Sequence, residues 1–346
     1  MGEIIGLGIS HWPRLGQKNE QLSYWLRRTL EDPDISDRDK DPANWPARMQ
    51  EEWSDDQGAS HAQEHRDSMA SGLREVRKAL DAFKPDALIV WGDDQYENFR
   101  DDLIPAFSVL AYQDDLECKP WGAMPNYWDE NKDTTFNVKS APDISKYLAS
   151  GMLEEEFDIA YAYRPLHFPH LPHAFMNTVL YLDYDRTGFP YPLIPFQVNC
   201  YGRYVVSHRG FGFPYAEANK PLDPPSPSPK RCFDLGRAAA RVMAKSPWRI
   251  ALVASSSWSH AFLCDKNRHL WPDVAADRHL YEAMLRGDSD VWRNTKLADV
   301  EYSGQHELLN WFCLVGAMTE LNKKVTWSQF TETFVYNSDK VAAIFG

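Results

Sequence analysis

The chain reads as an α/β protein, a single domain built on a central mixed sheet flanked by helices, with its working groups at the carboxyl ends of the strands. Three observations predict this. The runs Ile4 to Ile9, Ala87 to Trp91 and Ile250 to Ala254 are β-prone, apolar and bounded by small and polar residues, as buried strands are. Segments of helical spacing lie between them. Each run also ends in residues able to bind a metal: Ser10-His11, Gly92-Asp93-Asp94-Gln95, and Ser255 through Ser259 to His260. Ligands of such sheets gather in the crevice beyond the strands' carboxyl ends. His11, Gln95 and His260 are therefore expected to share one pocket.

In chain order, the first strand precedes a helix over Asn19 to Leu30 and a polar, tryptophan-bearing insertion over about 31–59. A helix over Ser60 to Phe83 follows, with Ser60 as N-cap and Lys84-Pro85 closing it before the second strand. Ala106 to Tyr112 is expected to be a strand. A second insertion, 116–141, is loop-like in its Pro, Gly, Asn and aromatic content. Phe157 to Tyr163 alternates as a strand does and leads into a histidine- and proline-rich turn, Pro165 to His173. Leu193 to Val198 is a further strand. The proline-rich stretch Lys220 to Lys230 must be loop. Because the strand at Ile250 supplies a site residue, this loop is an excursion within one domain. Helices are expected over Cys232 to Ala244, Ala276 to Leu285 and Gly304 to Leu321.

The 346 residues, 43% hydrophobic, support a sizeable core. Aromatic residues make up 13%, with 13 Trp, enough for a ring-lined pocket or core. A net charge of −13 argues against nucleic acid and anionic membrane surfaces as partners. An anionic substrate would need a local positive focus, for which Arg164 and Arg203 are candidates by charge alone. Five widely spaced cysteines with no C-x-x-C pair fit the reduced thiols of a cytosolic enzyme. The N-terminal apolar run is short and carries Glu3, so no signal peptide is expected. No stretch approaches the roughly 20 apolar residues of a membrane span. A cytoplasmic location is the expectation.

Several residue types carry chemistry, each beside a plainer reading. His11 precedes Trp12-Pro13, where the chain must turn; a histidine at a strand end is more often structural than ligating. Glu307 is expected on the last helix beside Leu308, Leu309, Trp311 and Phe312. Most helical glutamates are solvated, but a buried one needs a cation or metal. His260 follows a small-residue strand end that leaves room for a ligand; its plainer role is that of a turn residue. His167, His170 and His173 have a spacing found in metal sites. Pro165, Pro169 and Pro172 break any helix that would align them, so one of the three is expected to line the pocket. Ser255 to Ser257 lacks a G-x-S-x-G elbow, and Gly6-Leu7-Gly8 lacks the third glycine of a dinucleotide loop.

Four segments together resemble the class III extradiol ring-cleavage dioxygenases, the superfamily typified by the catalytic subunit of protocatechuate 4,5-dioxygenase. They are Gly8-Ile9-Ser10-His11, Pro85 to Gln95 with Asn98-Phe99 and Ile104 to Phe107, Ser257-Trp258-Ser259-His260, and Gly304 to Trp311. The resemblance covers nearly the whole chain in outline. It implies a non-haem Fe(II) centre with His11 and Glu307 as ligands, His260 as acid–base catalyst, and a further pocket histidine, best matched by His173 and next by His170. The family's Asn-Asp-His motif stands here as Asp93-Asp94-Gln95, so Gln95 occupies the second histidine-ligand position. An amide oxygen can reach a metal as a neutral ligand but is a weaker donor than imidazole. Either Gln95 ligates, or Asp93, Asp94, His61 or His65 substitutes, or the iron site is lost.

The implied reaction is extradiol cleavage of a dihydroxylated aromatic ring with O2, by an acid–base His260 that titrates near neutrality. Tryptophans around Trp45 and Trp53, and around Trp121 to Trp128, are candidates for a lid over a larger aromatic substrate. A homo-oligomer is expected, with a small helical partner subunit as the other arrangement the superfamily uses. Gln95 favours the alternatives: a non-catalytic binding or scaffold protein, or an O2-independent metal hydrolase or lyase on the same fold.

Overall fold

A computed structural model describes residues 2–122, 125–205 and 222–346. The first half runs β1 (Glu3–Ile9), α1 (Tyr24–Leu30), α2 (Asp37–Lys40), α3 (Ala47–Trp53), α4 (Ala62–Phe83), β2 (Ala87–Gly92), β3 (Phe107–Leu110), β4 (Leu116–Cys118), β5 (Phe136–Val138), α5 (Pro142–Glu154), β6 (Ala160–Ala162) and α6 (His173–Leu182). The second runs β7 (Leu193–Val198), α7 (Gly202–Val205), α8 (Pro229–Ala244), β8 (Arg249–Ser255), α9 (Val274–Arg286), α10 (Ser289–Asn294), α11 (Leu297–Tyr302), α12 (Leu309–Glu320), β9 (Val325–Thr331) and β10 (Lys340–Phe345).

Eight strands form one sheet in the order β6-β3-β7-β2-β8-β1-β10-β9. β7, β2, β8 and β1 are parallel neighbours. β3 is antiparallel to β7, and β10 is antiparallel to both β1 and β9. The sheet is therefore mixed, with a parallel centre, antiparallel pairs at β3–β7, β1–β10 and β10–β9, and a parallel edge pair β3–β6. β4 and β5 pair as a separate hairpin.

The parallel strands are apolar throughout because both faces are covered. In β2, Ala87, Ile89 and Trp91 enter one core while Leu88 and Val90 enter the other. Ile250, Leu252 and Ala254 of β8 divide from Ala251 and Val253 in the same way. Residues of α5, α8, α9, α10 and α12 pack on the first face, and residues of α1, α3, α4 and α6 on the second. Each fully buried aliphatic side chain there contributes about 1.5–3 kcal/mol. Helices α8 and α12 touch backbone to backbone. A Cβ on Gly236 would lie 1.8 Å from the Cys313 carbonyl oxygen, and one on Gly316 2.1 Å from that of Phe233.

Several expectations shift in the folded chain. Ser60 is not the N-cap of α4. Its amide donates to Asp56 Oδ2 (2.8 Å) in a tight turn, and the helix begins at Ala62 with His61 in the capping position, where its side chain caps nothing. Lys84 ends the helix in the left-handed conformation, φ 53°. The last helix is broken: His306–Leu308 is a 3-10 turn leading into α12, so Glu307 precedes the helix. The 31–59 stretch holds α2 and α3, and the 116–141 stretch holds the β4–β5 hairpin. Lys220 and Pro221 of the proline-rich loop lie outside the described residues. Among those described, no helix is long and apolar enough to cross a membrane.

Candidate active site

The parallel strands deliver their carboxyl ends to one place. His11 follows β1, Asp93 and Gln95 follow β2, Tyr201 follows β7, and Ser255 of β8 leads to His260. The turn before α12 brings in Glu307, and the first residue of α6 is His173. His11, Asp93, Tyr201, His260 and Glu307 are all buried.

His11 Nδ1 lies 2.8 Å from the Ser255 carbonyl oxygen, an acceptor, so the ring donates there. Its Nε2 therefore carries the lone pair. That nitrogen faces Glu307 Oε2 at 3.6 Å and Asp93 Oδ1 at 3.8 Å. Among the described residues, neither oxygen has a hydrogen-bond donor. Burial lowers the His11 pKa well below its ordinary value, reinforced by the neighbouring His173 charge. Burial first, and then the Asp93 charge, raise the Glu307 pKa well above the usual carboxylate range; burial also raises that of Asp93. A lone pair facing two bare carboxylate oxygens out of water is costly unless a cation lies among them. The donor set fits a divalent metal ion.

The other oxygens of these carboxylates are satisfied. Tyr201 Oη donates to Glu307 Oε1. Gln95 Nε2 lies 3.3 Å from the same atom, 3.2 Å from Asp93 Oδ2 and 2.6 Å from the Tyr201 hydroxyl. His260 Nε2 is 3.4 Å from Glu307 Oε1, while its Nδ1 has no partner among the described residues. Burial, then the Lys340 charge, push the His260 pKa down to about 3, so its ring is neutral at ordinary pH instead of titrating near neutrality.

His173 differs. Glu97 accepts hydrogen bonds from both its amide and its Nδ1, each at 2.8 Å. Burial alone would lower its pKa, but the Glu97 charge and hydrogen bond lift it to about 10. A ring nitrogen of His173 lies within 4.8 Å of the ligand atoms of His11 and Asp93. The two rings meet edge to face at 5.1 Å. His170 is turned elsewhere, its Nδ1 2.7 Å from the Glu117 carbonyl, and His167 pairs with Asp102 at 2.8 Å.

The turns carrying His260 and Glu307 are fastened from behind. The Asp277 carboxylate accepts from Ser259 N (3.0 Å), from Ser259 Oγ and from Gln305 Nε2 (2.7 Å). Gly304, at φ 69°, accepts from His260 N at 2.8 Å. A Cβ there would lie 2.6 Å from the His260 carbonyl oxygen, so this turn requires glycine.

The other candidates fall outside the cluster. Asp94 turns its carboxylate onto the amides of Glu97, Asn98 and Phe99, at 2.9–3.3 Å. His61 and His65 line a separate cleft of about 350 Å³ between α3, α4 and the β9–β10 connection. There His65 packs against Trp12 and Tyr336. Arg203 Nε is 3.4 Å from Glu301, and Arg164 is exposed. Trp45, Trp53 and Trp121 are buried in the core on the α4 side of the sheet. Tyr201 is the site residue that sequence reasoning missed; only its place just after an apolar run hinted at it.

Comparison with known proteins finds distant relatives. A Photorhabdus laumondii protein named 2,3-dihydroxyphenylpropionate/2,3-dihydroxicinnamic acid 1,2-dioxygenase is 24% identical over 191 residues, 54% of this chain and 47% of that one. A Rhodococcus protein of the same name is 22% identical over 312 residues, 78% of this chain and 87% of the relative. One from Paraburkholderia phymatum is 25% identical over 189 residues, 54% and 47%. The match thus spans about half the length of the first and third relatives, and most of the second. No protein-family profile matches the chain.

Proposed function

We propose that the chain is a metal-dependent dioxygenase that opens a catechol-type aromatic ring beside its two hydroxyls. His11 and Glu307 are the metal ligands, the turn after β2 supplies a third donor, and His260 is the acid–base group. One observation carries this reading: a neutral imidazole nitrogen and two uncompensated carboxylate oxygens converge beside a second buried imidazole. The names of the distant relatives support the substrate class.

Iron(II), when bound, would supply adjacent open positions for the two substrate oxygens and O2, a proximity effect added to its electronic role. The chain's own residues do the rest. The Nδ1–H of His11, held by Ser255, aims Nε2 at the ligand position. Tyr201 and Gln95 hold one oxygen of Glu307 and leave the other free. His260, neutral at ordinary pH, accepts the proton of the second hydroxyl as substrate docks and returns it as the ring opens. His173, kept charged by Glu97, places a positive group beside the developing oxyanion. Burial keeps water from competing with each of these contacts.

Protein reconstituted anaerobically with Fe(II) and assayed with an oxygen electrode against a panel of catechols, 2,3-dihydroxyphenylpropionate included, is expected to consume O2 with at least one of them. Stoichiometric iron with no uptake across the panel would count against ring cleavage.

A further inference from the structure

We infer that the third metal donor is the carboxylate of Asp93, and that Gln95 is not a ligand but the hydrogen-bond donor that orients both carboxylates. This rests on the metal-centred reading above and departs from the assignment that aligns Gln95 with a ligand.

The first argument is which atom Gln95 presents. Its amide nitrogen faces Asp93 Oδ2, Glu307 Oε1 and the Tyr201 hydroxyl, whose own proton goes to Glu307. Two of these three partners can only accept while ionised. Turning the amide over would set its oxygen against two carboxylate oxygens, so the neighbours fix the nitrogen inward. An amide coordinates through its oxygen, and here that atom points away from the carboxylates.

The second argument is how each carboxylate is divided. Gln95 and Tyr201 occupy Asp93 Oδ2 and Glu307 Oε1. The remaining oxygens, Asp93 Oδ1 and Glu307 Oε2, are buried, find no donor among the described residues, and both face His11 Nε2, at 3.8 and 3.6 Å. Donors held about 2.1 Å from one ion sit roughly 3–3.5 Å apart. The observed separations need only a few tenths of an ångström of closure.

The third argument is charge. Aligned with the Asn-Asp-His pattern, Asp93-Asp94-Gln95 has gained a carboxylate two positions before the imidazole it lost. The resulting set, one imidazole and two carboxylates, neutralises a divalent ion completely. Oxygen-rich sets of this kind suit Fe(II) and Mn(II) better than softer ions.

The test is anaerobic titration of Fe(II), and separately Mn(II), into wild type, Asp93→Asn, Gln95→Ala and the double variant Asp93→Asn/Gln95→His, with bound metal measured by elemental analysis and folding by circular dichroism. Wild type is expected to bind one ion per chain. Asp93→Asn should weaken binding by more than about 100-fold and Gln95→Ala by about 10-fold, the latter the scale of a lost outer hydrogen bond. The double variant, which restores an imidazole, should recover binding relative to Asp93→Asn. The reverse ranking, Gln95→Ala losing the ion while Asp93→Asn binds like wild type, overturns the donor assignment alone. Absence of binding by wild type overturns the metal-centred reading and the assignment with it. Should Asp93→Asn fail to fold, Gln95→Ala decides: retention of the ion supports Asp93, and its loss overturns it.

Discussion

Two pairs of buried carboxylates, one anchored on α9 and one in the site, are treated in different ways. Asp277 has its oxygens met by the Ser259 amide and hydroxyl and by Gln305. Its neighbour Asp339 accepts from the Thr333 amide at 2.9 Å through Oδ1, and Oδ2 has no donor. Burial raises the pKa of both, Asp277 to about 6. In the other pair, Asp93 and Glu307 each keep an oxygen bare beside an imidazole lone pair. Asp277 is closed by donors and serves to hold the turns of Ser259 and Gln305. The second pair is left open, as the proposed metal site requires. Burial of acid is common to all four, and what sets Asp93 and Glu307 apart is that their bare oxygens face an imidazole lone pair.

Three experiments can break or sharpen that contrast. The largest effect is expected from Glu307→Gln. Fe(II) at about 1000 times its Kd should stabilise wild type by about 4 kcal/mol, an increment the variant loses together with its turnover. The metal-free variant should melt at or above wild type, because a bare buried charge has gone. A metal-free melting point several degrees lower would show that the open pair is structural after all. Next is Asp277→Ala, which strands the donors of Ser259 and Gln305. At about 1–3 kcal/mol per stranded group, a loss near 3 kcal/mol is expected in urea unfolding of the metal-free protein. A change below about 0.5 kcal/mol would remove the fastening role. The smallest is His260→Gln, which should leave iron content and melting temperature unchanged while lowering turnover by about 10²-fold or more. Unaltered turnover with the true substrate would reduce His260 to a turn residue.

The strands that build the site were legible in the sequence for a simple reason. β1, β2 and β8 are covered on both faces, so they appear as unbroken apolar runs, and the residue just past each is forced into the crevice. His11, Gln95 and His260 could be placed together on that ground, and Glu307 by its buried neighbours. Helix α6 was not legible. His173-Ala-Phe-Met-Asn-Thr-Val-Leu-Tyr-Leu182 is mostly buried, has no polar stripe, and follows a run of prolines that reads as a turn. The strand β10 was hidden by its first residue, Lys340, a buried lysine whose ammonium donates to the Tyr336 carbonyl and lies 3.8 Å from the centre of the Trp12 ring. Tyr201 was barely legible because its hydroxyl meets Glu307 across 106 positions of sequence. Asp93 against Gln95 could not be decided either. Which of two neighbouring side chains turns inward after a strand depends on the path of the turn, which composition does not encode.

The position of β1 also sets the order in which this protein can become active. Its partners are β8, some 246 positions later, and β10, whose Val341 amide donates to the Ser10 hydroxyl across 331 positions. Until β10 has been made, the strand that leads to His11 has an unpaired edge and Ser338 cannot bridge to His260. Such long-range pairing is slow, and the nascent chain meanwhile exposes apolar edges. On the proposed reading, metal capture must wait until β10 has paired with β1.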